Sequence, residues 1–329
     1  MKLSILDQSP ISSGQTAKEA LNESLKLAQE GEKLGYTRYW IAEHHDLPGL
    51  ASSAPEVMLG YIGAQTDRIR IGSGAVLLPH YKPYKIAEVY NMLATLFTGR
   101  IDLGIGRAPG GSAEATNALS DHFLQQVWNM PKSVQELLQF LENDFPADHA
   151  YAKVSASPLP PVAPEPWLLG TSEKSAKLAA ENGMAYAFGQ FMSDKDGEAI
   201  VKKYNEAFKP RKSGQIPQTI LTISALCAET TEKAEEIARS SFLWKIQNEK
   251  GESGQGVPSI EEANHFFLNN KELLNKMKKN MIIGNPKEVR QKLFELEQQY
   301  EVDEMMIVTI THSPTDRLKS YQLIAEQIL

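Results

Sequence analysis

Short apolar, β-branched runs alternate with longer segments of helical period along almost the whole chain, and that alternation is the pattern of α/β folds. Lys2–Asp7 reads as the first strand. Thr16 opens a helix with Glu19 placed to complete a capping box; Ala17, Ala20, Leu21, Ser24, Ala28, Gly31 and Leu34 share its apolar face, and Gly35 ends it. Residues 39–42 form a second strand and 55–66 a second helix; 70–78 form a third strand, followed by a helix over 84–97. Residues 101–106 are the fourth strand, with helical material over 113–141.

Residues 144–165 interrupt the rhythm with Pro146, Pro158, Pro160, Pro161 and Pro164, the composition of a surface excursion. The alternation resumes with a strand over 167–170, a helix over 173–182 and a sixth strand over 185–188. Ser193 caps the next helix, with Asp196 in its first turn. The long β-branched stretch 217–228 is the seventh strand, and its helix covers 232–249. Residues 250–281 are irregular, with Gly251, Gly254 and Gly256 ahead of a polar helical segment. Asn285-Pro286 caps another helix with proline at its first position. A last strand over 304–309 precedes a closing helix with Leu318, Tyr321, Ala325 and Ile328 on one face.

Eight strands is a barrel count. An open doubly wound sheet would carry a Gly-x-Gly-x-x-Gly turn after the first strand, and none is present. The expected fold is therefore a (β/α)8 TIM barrel with insertions after strands 4 and 7, formed by residues 1–329 as one domain. Composition narrows the function. Net charge is −7, with no basic footprint for nucleic acid or anionic lipid. No apolar run reaches the ~20 residues that span a bilayer, and Met1–Asp7 lack the apolar stretch of a signal peptide. A single cysteine, Cys227, rules out an intrachain disulfide and suits a reducing cytoplasm as the expected location. The partner left by these exclusions is a small molecule or another protein.

In a β/α barrel the loops after the strands build the active site. Glu43, His44 and His45 follow the second strand, and histidine exchanges protons near neutral pH. Packing or capping is the competing reading for either histidine. Gly72 and Gly74 weaken the third strand, which suits either a closely passing ligand or a crowded interior. The turn Gly104-Ile105-Gly106-Arg107-Ala108-Pro109-Gly110-Gly111 lacks the Lys-Ser or Lys-Thr of a P-loop, but presents a guanidinium that suits a phosphate or is simply a surface charge. Gly170, Thr171, Ser172 and Ser175 lie at the start of a helix, where free N–H groups, hydroxyls and the dipole favour an anion; Ser172 also reads as a plain cap. Arg100 and Asp102 fall at the opposite end of the barrel and read as structural, and Cys227 as core. No histidine and carboxylate set has the spacing of a metal site.

Leu6-Asp7-Gln8-Ser9-Pro10, the run from Tyr39 to His45, the run from Gly72 to Pro79 and the run from Gly99 to Gly110 together resemble the bacterial-luciferase-like flavin monooxygenases. Gly170-Thr171-Ser172, Val302-Asp303-Glu304-Met305-Met306 and Arg317-Leu318-Lys319-Ser320-Tyr321 extend the resemblance over nearly the whole chain. It implies a β/α barrel that binds FMN, reduced and supplied by a separate flavin reductase. It implies that Gly74-Ala75 matches a cis peptide supporting the flavin ring, and that Phe188 lines the ring pocket. Arg107, Thr171, Ser172 and Ser175 would hold the phosphate. His44 would match the catalytic histidine beside the ring, transferring a proton or stabilising the flavin's oxygen adduct.

Two positions depart from the light-emitting members: Gly106 replaces a reactive cysteine, and Thr171 an acidic residue. Bioluminescence is therefore not the expected activity. The resemblance further implies that 250–281 is a mobile active-site loop, and that the chain is a homodimer through the second and third barrel helices, with Gly60, Gly63 and Ala64 allowing close approach. Two alternatives keep the fold: a deazaflavin-dependent hydride-transfer enzyme, and a non-catalytic flavin-binding protein, against which the presence of His44 counts.

Overall fold

The computed structural model describes residues 1–251, 256–302 and 304–329. Its strands are β1 (Lys2–Asp7), β2 (Arg38–Ile41), β3 (Arg70–Ser73), β4 (Val76–Leu77), β5 (Ile101–Gly106), β6 (Glu165–Gly170), β7 (Ala185–Gly189), β8 (Thr219–Cys227), β9 (Ile282–Gly284) and β10 (Glu304–Val308). All named pairings are parallel, and β10 pairs with both β1 and β8, which closes the wall. The fold is an eight-stranded parallel β-barrel with helices between the strands, a TIM barrel. β3 and β4 share one place in the wall, since both pair with β5 and the break falls at Gly74–Ala75. β9 lies outside the eight and lengthens the end of β8, opposite Ala225–Cys227.

Alternation along the strands sorts the side chains into two layers. Leu6, Trp40, Trp167, Ala185, Ala187, Ile220, Met306 and Val308 fill the barrel. Leu3, Ile5, Ile41, Ile71, Leu103, Tyr186, Phe188 and Ile307 face the helices. Glycine makes the interior possible where the wall is crowded: a Cβ at Gly104 would run into the Ser73 carbonyl. The strand starts are plugged by charge. Asp102 accepts from Arg38 (2.9 Å) and the Trp40 indole (2.9 Å) and pairs with Arg70, while Arg38 also reaches Glu304 (2.7 Å). These ion pairs occupy the bottom of the barrel, away from the loops that follow the strands, in keeping with a structural role for Asp102.

The first helix starts and stops where the sequence signals placed it. Thr16 and Glu19 form the capping box of Ala17–Leu34, and Gly35 ends that helix at φ 87°. Both insertions are present: Ala113–Leu119, Phe123–Trp128, Met130–Glu142 and the exposed excursion follow β5, while Thr231–Lys250, Ile260–Leu268, Lys271–Lys278 and β9 follow β8.

Four expectations change. Much of 250–281 is helix packed on Thr231–Lys250, because Ala263, Phe267 and Leu274 complete an apolar cluster with Ile237, Phe242 and Leu243. Its residues 252–255, on which the mobile-loop expectation partly falls, lie outside the described residues, as does Asp303. Asp196, not Ser193, caps Gly197–Ala207, its carboxylate accepting from the Ala199 N–H. The second helix stops at Gly63, and the space beside Gly63 is filled by Phe97 of the same chain, so it offers no close approach to a partner.

Candidate active site at the barrel mouth

The strand order places the candidate residues along one arc of the rim. β2, the β3/β4 strand, β5 and β6 are consecutive neighbours; His44 lies three residues past the end of β2, Gly74–Ala75 at the break between β3 and β4, Arg107 just past β5 and Thr171 just past β6. The register of β5 against β6 pairs Ile105 with Leu168. Two residues on, Arg107 therefore stands beside Gly170.

After Ile41 the chain leaves the wall in a loop that folds back on itself. The His44 N–H donates to the Ser52 carbonyl at 3.0 Å, and the His45 N–H to the Gly110 carbonyl at 2.8 Å. Glu43 is buried among three donors: the Leu77 N–H (3.0 Å), the Tyr81 hydroxyl (2.7 Å) and His45 Nε2 (2.8 Å). The two histidines thus divide. His45 is committed to Glu43 and to the 107–111 turn, whereas His44 Nδ1 is buried with no hydrogen-bond partner among the described residues. Burial, then the neighbouring His45, pushes the His44 imidazole down to about 4, so at neutral pH the ring is uncharged and its free nitrogen can accept or donate one proton.

The next stations on the arc carry almost no side chain. The Gly74–Ala75 peptide is cis. A Cβ added to Gly106 would stand 3.2 Å from that of Ala75 and 3.8 Å from Leu77 Cδ2, so the two small residues sit against each other at this point of the rim. At the far end, Arg107 is exposed and forms no ion pair among the described residues. Ser172 caps Glu173–Glu181, and a Cβ on Gly170 would collide with Ser175. Burial pushes the Tyr186 phenol up to about 12, while its hydrogen bond with Ser175 and the charge of Arg107 work the other way, which puts the guanidinium's field on this turn.

Two of the expected site residues are placed elsewhere. Phe188 has the outward parity of β7: its ring is fully buried against Gly197 and stacks on Tyr300 at 6.4 Å between centroids, on the helix side of the wall. It does not line the barrel mouth. Ser175 is consumed by the cap, its hydroxyl donating to the Ser172 carbonyl (2.7 Å), receiving the Ser172 N–H (3.2 Å) and touching the Tyr186 hydroxyl (3.1 Å). It shapes the turn without presenting a free hydroxyl. Sequence reading assigned no role to Glu43, although its place between the strand and His44 was visible; its three partners are separated from it by up to 38 residues, so no local signal shows them.

The barrel, a neutral histidine at its mouth and a small-residue arc leading to a guanidinium can be compared with known proteins. The family model described as "Luciferase-like monooxygenase" matches residues 1–301. An N-acetyl-S-alkylcysteine monooxygenase of Bacillus subtilis (strain 168) is 37% identical over 332 residues, covering 100% of this chain and 98% of that protein. The oxygenase component of a flavin-dependent trigonelline monooxygenase from Acinetobacter baylyi (strain ATCC 33305 / BD413 / ADP1) is 24% identical, covering 86% of this chain and 82% of its own. Among solved structures, apo-MsnO8 superposes with a TM-score of 0.87 at 32% identity, covering 99% of this chain and 98% of its own.

Proposed function

Because the chain belongs to the luciferase-like monooxygenase family, we propose that it is a flavin-dependent monooxygenase that uses reduced FMN and O2 to oxygenate a small organic substrate. The observation that carries this reading is the rim arc: among the described residues, a neutral histidine with an unpartnered buried nitrogen at one end, a guanidinium without an ion pair beside a helix start at the other, and the small residues Gly74, Ala75 and Gly106 on the stretch between them. A flat ring with a phosphate tail suits that sequence of surfaces. The missing side chain at Gly106 fits the close approach of such a ligand, and His44 Nδ1, without a partner among the described residues, fits one supplied from outside the protein.

In this reading Arg107 and Thr171 hold the phosphate at the start of the helix that Ser172 caps, with the helix dipole adding to the attraction. Gly74 and Ala75 support the ring. Bound reduced FMN supplies the electrons that activate oxygen. His44 stands at the ring end; uncharged at neutral pH, its nitrogen can hold a hydrogen bond to the reacting atoms, and any proton it takes up is readily given back. A separate flavin reductase supplies the reduced cofactor. Residues 1–329 act as one unit in the cytoplasm. The face carrying exposed Val57, Tyr61, Met92 and Leu96 is the proposed homodimer surface.

The test is turnover. Reduced FMN, regenerated by a flavin reductase, and O2 should convert a thioether such as an N-acetyl-S-alkylcysteine, the substrate class in the name of the relative, or another small substrate of a screened panel. His44→Ala should bind FMN but fail to turn over. Preferential binding of a reduced deazaflavin would favour hydride transfer instead, and flavin binding with no substrate oxygenated across the panel would favour a non-catalytic carrier.

A further inference from the structure

β2 leaves the barrel wall at Ile41, two residues before its neighbour's break at Gly74–Ala75 is repaired. β4 (Val76–Leu77) therefore pairs on one side only, with Ile105 and Gly106 of β5. On the side where β2 would have continued, the Leu77 N–H has no strand to meet. It meets the Glu43 carboxylate instead, at 3.0 Å. The same carboxylate's other oxygen receives the Tyr81 hydroxyl and His45 Nε2, and His45 is joined through its backbone to Gly110. One buried anion thus replaces the missing ladder bond and ties together the ends of β2, β4 and β5.

From this geometry we infer that Glu43 is a positioning residue: through the Leu77 N–H its carboxylate holds the 74–77 segment in register with His44, and so sets the part of the arc on which the cofactor lies. The inference rests on the flavin reading given above. At the Gly74 end the segment is held by the Gly74 N–H to the Ile41 carbonyl (2.8 Å) and on one side by β5, so Glu43 supplies the fixed point on the side that β2 leaves open. A glutamine does this less well: its single oxygen can keep the Leu77 N–H only if the Tyr81 hydroxyl and His45 Nε2 both turn round to accept from its NH2. Burial, then the Glu43 carboxylate, raises the Tyr81 phenol above its ordinary value, so Tyr81 remains a donor throughout the working range.

The experiment compares FMN binding by the full chain carrying Glu43→Gln, Tyr81→Phe, or Tyr81→Phe with His45→Gln. Glu43→Gln, folded by circular dichroism, should bind FMN about tenfold or more weakly, the loss expected when a charge-assisted buried bond fails. Tyr81→Phe and the double variant keep the Leu77 contact and should stay within about threefold of the parent, even if they melt earlier. A folded Glu43→Gln protein with the parent's affinity would overturn the inference. So would a tenfold loss in the double variant, which decides the matter should Glu43→Gln not fold. If the parent itself does not bind FMN, the flavin reading fails separately. Amide exchange over 74–78 then still reads the positioning: faster in Glu43→Gln if the inference holds, unchanged if it does not.

Discussion

Gly170 and Ser175 compete for one volume: the side chain that Gly170 lacks would occupy the space of Ser175 Oγ, which three hydrogen-bonding groups hold in place. The end of β6 and the start of the next helix are therefore a single packed unit, and the anion-receptive turn exists only while position 170 has no Cβ. Gly170→Ala should disrupt the cap and cost about 1–3 kcal/mol of stability, the range for overpacking or a lost cap. Thermal melts would show this, and FMN affinity should drop with it. An unchanged melt would mean that Ser175 can move aside.

Arg107 is exposed at the mouth beside that turn. Arg107→Ala should leave the melting temperature unchanged and weaken FMN by about ten- to a hundredfold, the usual worth of a hydrogen bond to a charged group. Riboflavin, which lacks the phosphate, should bind parent and variant alike. Equal losses for both ligands would place Arg107 away from the phosphate.

His44 makes folding sensitive to acid in a defined window. Its folded value is about 4, against 6.5 for the free side chain. As pH falls below 6.5 the unfolded chain takes up a proton that the folded chain refuses until near 4, so the unfolded state binds more protons and stability declines across that interval. His44→Gln, neutral at every pH, should lose less stability than the parent between pH 7 and pH 4.5. Denaturant midpoints at several pH values measure the difference. Parallel curves would show that the imidazole is solvated.

At the other end of the barrel, Asp102→Ala would leave Arg38 and Arg70 short of their shared carboxylate. Stranding buried charge costs about 3–5 kcal/mol. The folded fraction should nevertheless bind FMN as the parent does, because this cluster lies at the strand starts. A lowered affinity in that fraction would link the bottom of the barrel to the mouth.

The alternation of runs made the eight wall strands legible, because each carries its own apolar signal. β9 was not, since three residues, Ile282–Gly284, are strand only through pairing with the far end of β8. The candidate site was read by position along the chain, and the structure does place His44, Arg107 and the Gly170 turn past the ends of neighbouring strands. That reading fails for Phe188, where the question is which way a side chain points. β7 is buried on both faces, so its sequence shows no polar alternation from which to take the parity. Ser193 fails because either of two neighbouring polar residues can cap a helix and packing makes the choice; the Ser175 hydroxyl, expected on the phosphate, is taken up by Ser172 and Tyr186, and Tyr186 reaches it from β7. Glu43 needed the third dimension altogether, since Leu77 and Tyr81 reach it across the gap left by β2.

The most direct test of the central claim is an anaerobic titration of the purified chain with oxidised and with reduced FMN, followed by flavin absorbance and by calorimetry. Saturable binding of at least one redox form, weakened by Arg107→Ala and preserved in His44→Ala, is the predicted result. Absence of binding by both forms would contradict the account.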